Sequence, residues 1–157
     1  MLATQIFSHI KDQRSLTKEK SVAEKAYDIY LNCRPKKNGH FNLKDFFSFY
    51  KSKNVKVFTE HNGIAVLSLI GSESELYFLG IEDCKKNLGY GTKLLKKVID
   101  DSKALGTKKI FVEVNENNKV AIKLYFSFGF TKYGIRKDYY KKKLSSFDDA
   151  ILMKLCI

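Results

Sequence analysis

The sequence predicts a mixed α/β fold, a central mixed sheet of about six to seven strands flanked by about four helices, in one domain over residues 1–157. Three observations carry that prediction. The front half holds apolar runs with strand character joined by tight turns. The second half alternates strand and helix, which demands a right-handed crossover between parallel strands. At 157 residues with 44% apolar content, the chain can bury a core without staples.

Residues 16–33 place Val22, Ala23, Ala26, Ile29 and Tyr30 at helical spacing, and Pro35 and Gly39 break that helix. Residues 43–53 repeat the pattern with Leu43, Phe46, Phe47 and Tyr50 on one face. Then the period shortens. Val55–Thr59, Ile64–Ile70 and Glu75–Ile81 read as strands, the first two joined by a His61-Asn62-Gly63 turn. After Gly91 the helical period returns through Leu94, Leu95, Val98, Ile99 and Leu105, with Gly106 placed to cap the end. A strand (Lys109–Asn115), a helix (Asn118–Phe128) and two strands near Phe130–Arg136 and Ala150–Cys156 complete the order. A weak opening strand is expected near Thr4–Ser8.

The formal charge of +12 predicts a surface that attracts polyanions: RNA, acidic peptides or a phosphate-rich cofactor. Lysine pairs are spread along the whole chain, so a generally basic surface explains the charge equally well. Cys33, Cys84 and Cys156 are widely spaced, and His9, His40 and His61 show no ligand spacing, so neither a disulfide framework nor a metal site is expected. The longest apolar run, Ile64–Ile70, is too short to span a bilayer, and residues 1–20 lack a signal-peptide core. The chain reads as cytoplasmic.

Two constellations carry chemistry. The first is Lys86-Asn87-Leu88-Gly89-Tyr90-Gly91-Thr92, between a strand and an amphipathic helix. Its glycines let the backbone curl so that several N–H groups and the first helical turn converge on an anion. A loop with two convenient glycines is the alternative. A P-loop is absent, and Leu94 stands where a dinucleotide fingerprint needs its third glycine.

The second constellation begins at Glu113. Alternation places it opposite Val112 and Val114 on a strand expected to be central, where a carboxylate is costly unless it faces a cleft. There it could accept a proton from an ammonium; a half-solvated strand face is the other explanation. Asn117 or Asn118 suits the N-cap of the next helix. On that helix Tyr125 lies at or beside the core, either as a packing residue or as a proton donor whose hydroxyl needs a partner.

At these residues the sequence resembles the GNAT superfamily, and within it the RimI-type ribosomal-protein N-terminal-alanine acetyltransferases, over residues 75–157. Leu79–Thr92 is similar to the family's acetyl-CoA strand and [QR]-x-x-G-x-[GA] pyrophosphate loop, with Lys86 at the Gln or Arg position. Glu113-Val114, Asn118, Ala121, Leu124-Tyr125 and Gly129-Phe130 match its E-V-…-N-x-x-A-x-x-L-Y-…-G-F. Ile135-Arg136-Lys137-Asp138-Tyr139-Tyr140 with Asp149–Met153 matches the RimI-type tail, I-R-x-x-Y-Y…D-A-I-x-M.

The resemblance implies an acetyl-CoA-dependent N-acetyltransferase with no metal. The backbone of Leu79, Gly80 and Ile81 would pair with the pantetheine arm. Amides of Asn87, Leu88, Gly89, Tyr90, Gly91 and Thr92 would hold the diphosphate, and Asn118 would hydrogen-bond the cofactor. Glu113 would be the general base and Tyr125 the general acid, with Tyr139 and Tyr140 shaping a peptide groove. The expected acceptor is a protein N-terminus, plausibly ribosomal. Two other functions compete: acetylation of a small-molecule amine, and a non-enzymatic RNA-binding module using Lys141–Lys143.

Overall fold

The computed structural model describes residues 22–33, 42–141 and 147–157. The predicted strand at Thr4–Ser8 and the start of the first predicted helix lie outside them. The helix over 22–33 (α1) presents Ala23, Ala26 and Tyr30 inward. The second, α2 (Leu43–Lys51), is capped by Asn42, whose side chain accepts from the Asp45 N–H. Then follow β1 (Val55–Glu60), β2 (Gly63–Ile70), β3 (Glu73–Ile81), α3 (Tyr90–Ala104), β4 (Lys109–Asn115), α4 (Lys119–Ser127), β5 (Thr131–Lys141) and β6 (Phe147–Cys156).

The predicted order holds, with two shifts in the boundaries. The hairpin loop is His61-Asn62, with Gly63 already paired to Glu60 as the first residue of β2. Glycine keeps position 63 uncrowded, because a Cβ there would displace the end of the Ile81 side chain at 2.3 Å and press on the Glu60 and Gly80 carbonyl oxygens at 3.1 and 3.2 Å. The last two strands run beyond their expected ends, so Tyr139 and Tyr140 belong to β5. No apolar alternation marks that extension, because Lys137, Asp138, Asp148 and Asp149 interrupt it between the aromatic residues. Gly106 follows the end of α3 at φ 83°, the left-handed position that favours glycine.

The strands form one sheet in the order β1-β2-β3-β4-β6-β5. Only β3 and β4 run parallel, joined through α3; every other neighbour pair is antiparallel. Helices cover both faces. On one, Leu94, Leu95 and Val98 of α3 and Tyr125 of α4 pack on Ala65, Leu67, Leu76, Ile110, Val112 and Met153. On the other, Ala26, Tyr30 and Phe46 of α1 and α2 pack on Ile64 and Val66. Covered on both sides, β2 reads as a continuous apolar run. The second cluster reaches only β1–β3. Among the described residues no helix covers the same face of β4, β6 and β5.

Gly80 sets how closely α1 approaches the sheet. A Cβ there would lie 2.7 Å from Cys33 Cβ and 2.8 Å from the Phe78 ring. Gly80→Ala is therefore expected to destabilise the fold by about 1–3 kcal/mol, read as a lower urea midpoint.

Candidate active site

The parallel ladder between β3 and β4 is short. It runs from Glu73↔Lys109 to Leu76↔Val112 and then stops, although β3 continues to Ile81 and β4 to Asn115. The closed end is tied by the buried Ser74 and Thr107 hydroxyls at 2.8 Å and by Lys108 N–H donating to Ser72 O at 2.7 Å. At the open end, Tyr77 is an extra residue in β3, since Leu67 pairs with Leu76 and Val66 with Phe78. Such a bulge bends its strand. Beyond it, Leu79, Gly80 and Ile81 stay paired to β2 on one edge and present the other to the gap. Gly80 is explained by packing on Cys33; its backbone edge remains on the gap.

At the end of β3 a 3-10 turn (Asp83–Lys85) leads into the glycine loop. Asn87 and Gly89 take φ of 62° and 78°. Left-handed backbone at these two positions curls the chain tightly between β3 and α3. Helix α3 opens on Gly89 with no side-chain cap and no acidic residue in its first turn. The N–H groups of Tyr90, Gly91 and Thr92 therefore start a helix whose positive end lacks a built-in anion. A Cβ on Gly91 would meet only ordinary contacts with Leu124 and Ile81, at 3.7 and 3.8 Å. Lys86 pairs with Asp83.

Glu113 lies where alternation put it, on the face opposite Val112 and Val114, with its side chain only 20% exposed. Arg136 of β5 holds it with both arms, Nη2 to Oε1 at 2.9 Å and Nη1 to Oε2 at 3.4 Å. That guanidinium also sits 4.8 Å from the centroid of Tyr139. On the neighbouring strand, Glu75 has its carboxyl pushed up by burial and then by Glu113, against a lowering by Arg136. Arg136 and Glu75 were not singled out from sequence. The only signal for Arg136 was its place in I-R-x-x-Y-Y, and Glu75 had none.

Tyr125 belongs to the opposite face. It is 5% exposed, its ring lies 5.3 Å from Phe130, and burial pushes its hydroxyl well above the usual tyrosine range, with Tyr140 adding to the effect. No described residue exchanges a hydrogen bond with that hydroxyl. Tyr140 connects the two faces. Its hydroxyl makes a long contact of 3.5 Å to the Glu113 carbonyl, and burial pushes its pKa up to about 12.

Asp149 pins the bulge that presents this pair of tyrosines, accepting from Lys137 Nζ at 2.6 Å and from the N–H of Asp138, whose φ is 53°. Asn118, not Asn117, caps α4; its Oδ1 accepts from the Ala121 N–H at 3.2 Å, which leaves its Nδ2 as the available donor.

The arrangement is a split sheet with a glycine turn at one end, a carboxylate on one side of the gap and a buried phenol on the other. Among the described residues no group of three or more His, Cys, Asp and Glu could hold a metal. The sequence profile described as the Acetyltransferase (GNAT) family matches residues 23–130. The ribosomal protein bS18-alanine N-acetyltransferase of Haemophilus ducreyi is 34% identical over 108 residues, covering 67% of this chain and 74% of that protein. The crystal structure of the ribosomal-protein-S18-alanine N-acetyltransferase from Escherichia coli aligns with a TM-score of 0.75 at 26% identity, covering 86% of this chain and 87% of that one. A GNAT family acetyltransferase from Elizabethkingia anophelis with acetyl-CoA bound shares the fold, with a TM-score of 0.65 at 22% identity over 83% of this chain and 90% of that one. The split sheet, the uncapped glycine turn and these matches lead to one conclusion: the chain belongs to the GNAT family and is an N-acetyltransferase.

Proposed function

We propose that this chain transfers acetyl from acetyl-CoA to the N-terminal α-amine of a ribosomal protein. The observation that carries the reading is the buried Tyr125 hydroxyl, which has no hydrogen-bond partner among the described residues, beside a gap whose other side holds Glu113. The free edge of Leu79–Ile81 offers the main-chain groups that an amide-bearing pantetheine arm needs. Amides from Asn87 to Thr92 would hold the diphosphate, and Asn118 Nδ2 would donate to the cofactor.

With the thioester in the gap, the amine nitrogen attacks the acetyl carbon and the C–S bond breaks. Glu113 takes the proton that the nitrogen sheds as the N–C bond forms. Tyr125 is protonated throughout the neutral range, so it can donate to the departing sulfur. Arg136 sharpens the choice of acceptor. A guanidinium beside Glu113 disfavours a second cation there, so the amine is best received uncharged. An α-amine with a pKa of about 7.7–8.0 supplies that form far more readily than a lysine at about 10.4. Tyr139 and Tyr140 shape the groove on the uncovered half of the sheet, where Tyr133 is also exposed. An open, aromatic-walled face suits an extended peptide. The bS18-alanine acetyltransferase activity of the Haemophilus ducreyi relative supports a ribosomal acceptor.

Three outcomes follow. Glu113→Gln is expected to lower kcat/KM by about 10²–10⁴-fold when the α-amine is mostly protonated. The deficit should persist as pH rises past the amine's own pKa, because the neutral amine still sheds a proton as the N–C bond forms; a pH–rate profile checks this. Tyr125→Phe should lower kcat by about 10²-fold with acetyl-CoA affinity intact. Its melting temperature should hold or rise, because no described partner is left unsatisfied. Thiol release and mass spectrometry should show acetylation of peptides with a free α-amine, and none of peptides blocked there but carrying lysine. Turnover of small amines alone would overturn the acceptor assignment.

A further inference from the structure

The turn between β1 and β2 touches the glycine loop at both of its ends. Its two residues, His61 and Asn62, have φ of 49° and 57°, the left-handed pair that a two-residue hairpin loop requires. Gly63 lets this turn sit directly on the end of β3, since a Cβ there would also lie 3.2 Å from the Gly80 carbonyl oxygen. From that seat Asn62 reaches Glu82, at the head of the 3-10 turn that leads into the loop. Its Nδ2 donates to Glu82 Oε2 at 2.8 Å, and its carbonyl accepts from the Glu82 N–H at 3.0 Å. Asn32 of α1 donates to the other carboxylate oxygen at 3.0 Å. The donors of Asn32 and then Asn62 hold the Glu82 carboxyl below its usual range. His61 reaches the end of the loop, its ring stacked on Tyr90 with centroids 4.5 Å apart and planes 15° from parallel.

We propose that His61 and Asn62 are positioning residues for the diphosphate site: the hairpin tip pins Glu82 and Tyr90, so that the main-chain amides between them stand in the anion-binding conformation before the donor arrives. This role rests on reading the glycine loop as the diphosphate cradle. Beyond the Lys86–Asp83 ion pair and the turn before it, the loop has few ties of its own. Asn87 and Gly89 are both left-handed, no heavy atom lies within 4 Å of the place where a Gly89 Cβ would be, and α3 begins without a side-chain cap. Its order has to come from a neighbour, and the β1–β2 tip supplies one contact at each end. A pre-ordered loop loses less entropy when it binds, which strengthens binding without any new contact to the ligand. The tip braces the diphosphate end of the site, so the chemical step should not depend on it.

Two variants separate this role from general stability. His61→Asn removes the ring while keeping a residue tolerant of left-handed backbone. Asn62→Gly removes the side-chain amide while keeping the turn accessible. Calorimetric Kd for acetyl-CoA, kcat at saturating acetyl-CoA, and KM for S-acetylpantetheine, a thioester without the diphosphate, are compared in the full chain. Each variant is expected to raise the acetyl-CoA Kd by about 3–10-fold. Both should leave kcat and the S-acetylpantetheine KM unchanged. If wild type prefers acetyl-CoA and both variants bind it equally well, the brace is wrong. Equal losses with both donors would also overturn it, as they indicate a general distortion. A wild-type protein with no preference for acetyl-CoA over S-acetylpantetheine would instead remove the diphosphate reading, and the brace with it.

Discussion

The parting of β3 from β4 is the constraint around which the rest of the molecule is arranged. Parallel strands in the middle of a sheet normally stay paired, because each unpaired N–H and C=O there forfeits a hydrogen bond in a poorly solvated place. Here pairing ends at Leu76 and Val112, and the fold concentrates its ties at the opposite end, where Ser74 meets Thr107 and Lys108 meets Ser72. One end is clamped and the bulge at Tyr77 turns β3 away at the other. The gap is therefore a built feature of the sheet and not frayed structure. Its free backbone edge asks for an extended, amide-bearing partner, which is the chemistry of the donor arm in this family.

The gap also solves a problem of position. Glu113 and Tyr125 lie on opposite faces of the sheet, and in a closed sheet they could not serve one reacting centre. Where the strands part, a group lying between them is reachable from both sides. Tyr140 marks that closeness, since it contacts the Glu113 backbone and raises the pKa of Tyr125. The features that break local rules gather at the same place: a buried phenol without a described partner, an uncapped helix start, left-handed Asn87, and a carboxylate on an inner strand. Such departures from packing logic concentrate at functional sites, where stability is given up for readiness.

Charge works on two scales. The net charge of +12 favours encounter with polyanions. At the gap, the positive charge is focused into single groups with distinct positions: the start of α3 on one side and Arg136 beside Glu113 on the other. The first suits a diphosphate. In the proposed mechanism the second disfavours a protonated amine next to the carboxylate.

The sequence by itself determined the element order, the glycine turn, the face of Glu113 opposite Val112 and Val114, and the inward placement of Tyr125, because each follows from local period or from backbone that only certain residues tolerate. The motifs also fixed the family. Only the tertiary structure decided that β3 and β4 part, that Arg136 clamps Glu113 across β6, that Glu75 shares the face, and that the β1–β2 tip reaches both ends of the glycine loop. It also showed that Gly63 and Gly80 are clearance residues for Ile81 and Cys33, which no local pattern marks. The reason is range: periodicity reports which face a side chain takes on its own element, whereas contacts such as Arg136 to Glu113 and Asn62 to Glu82 join segments that meet only after the sheet has set its strand order and register.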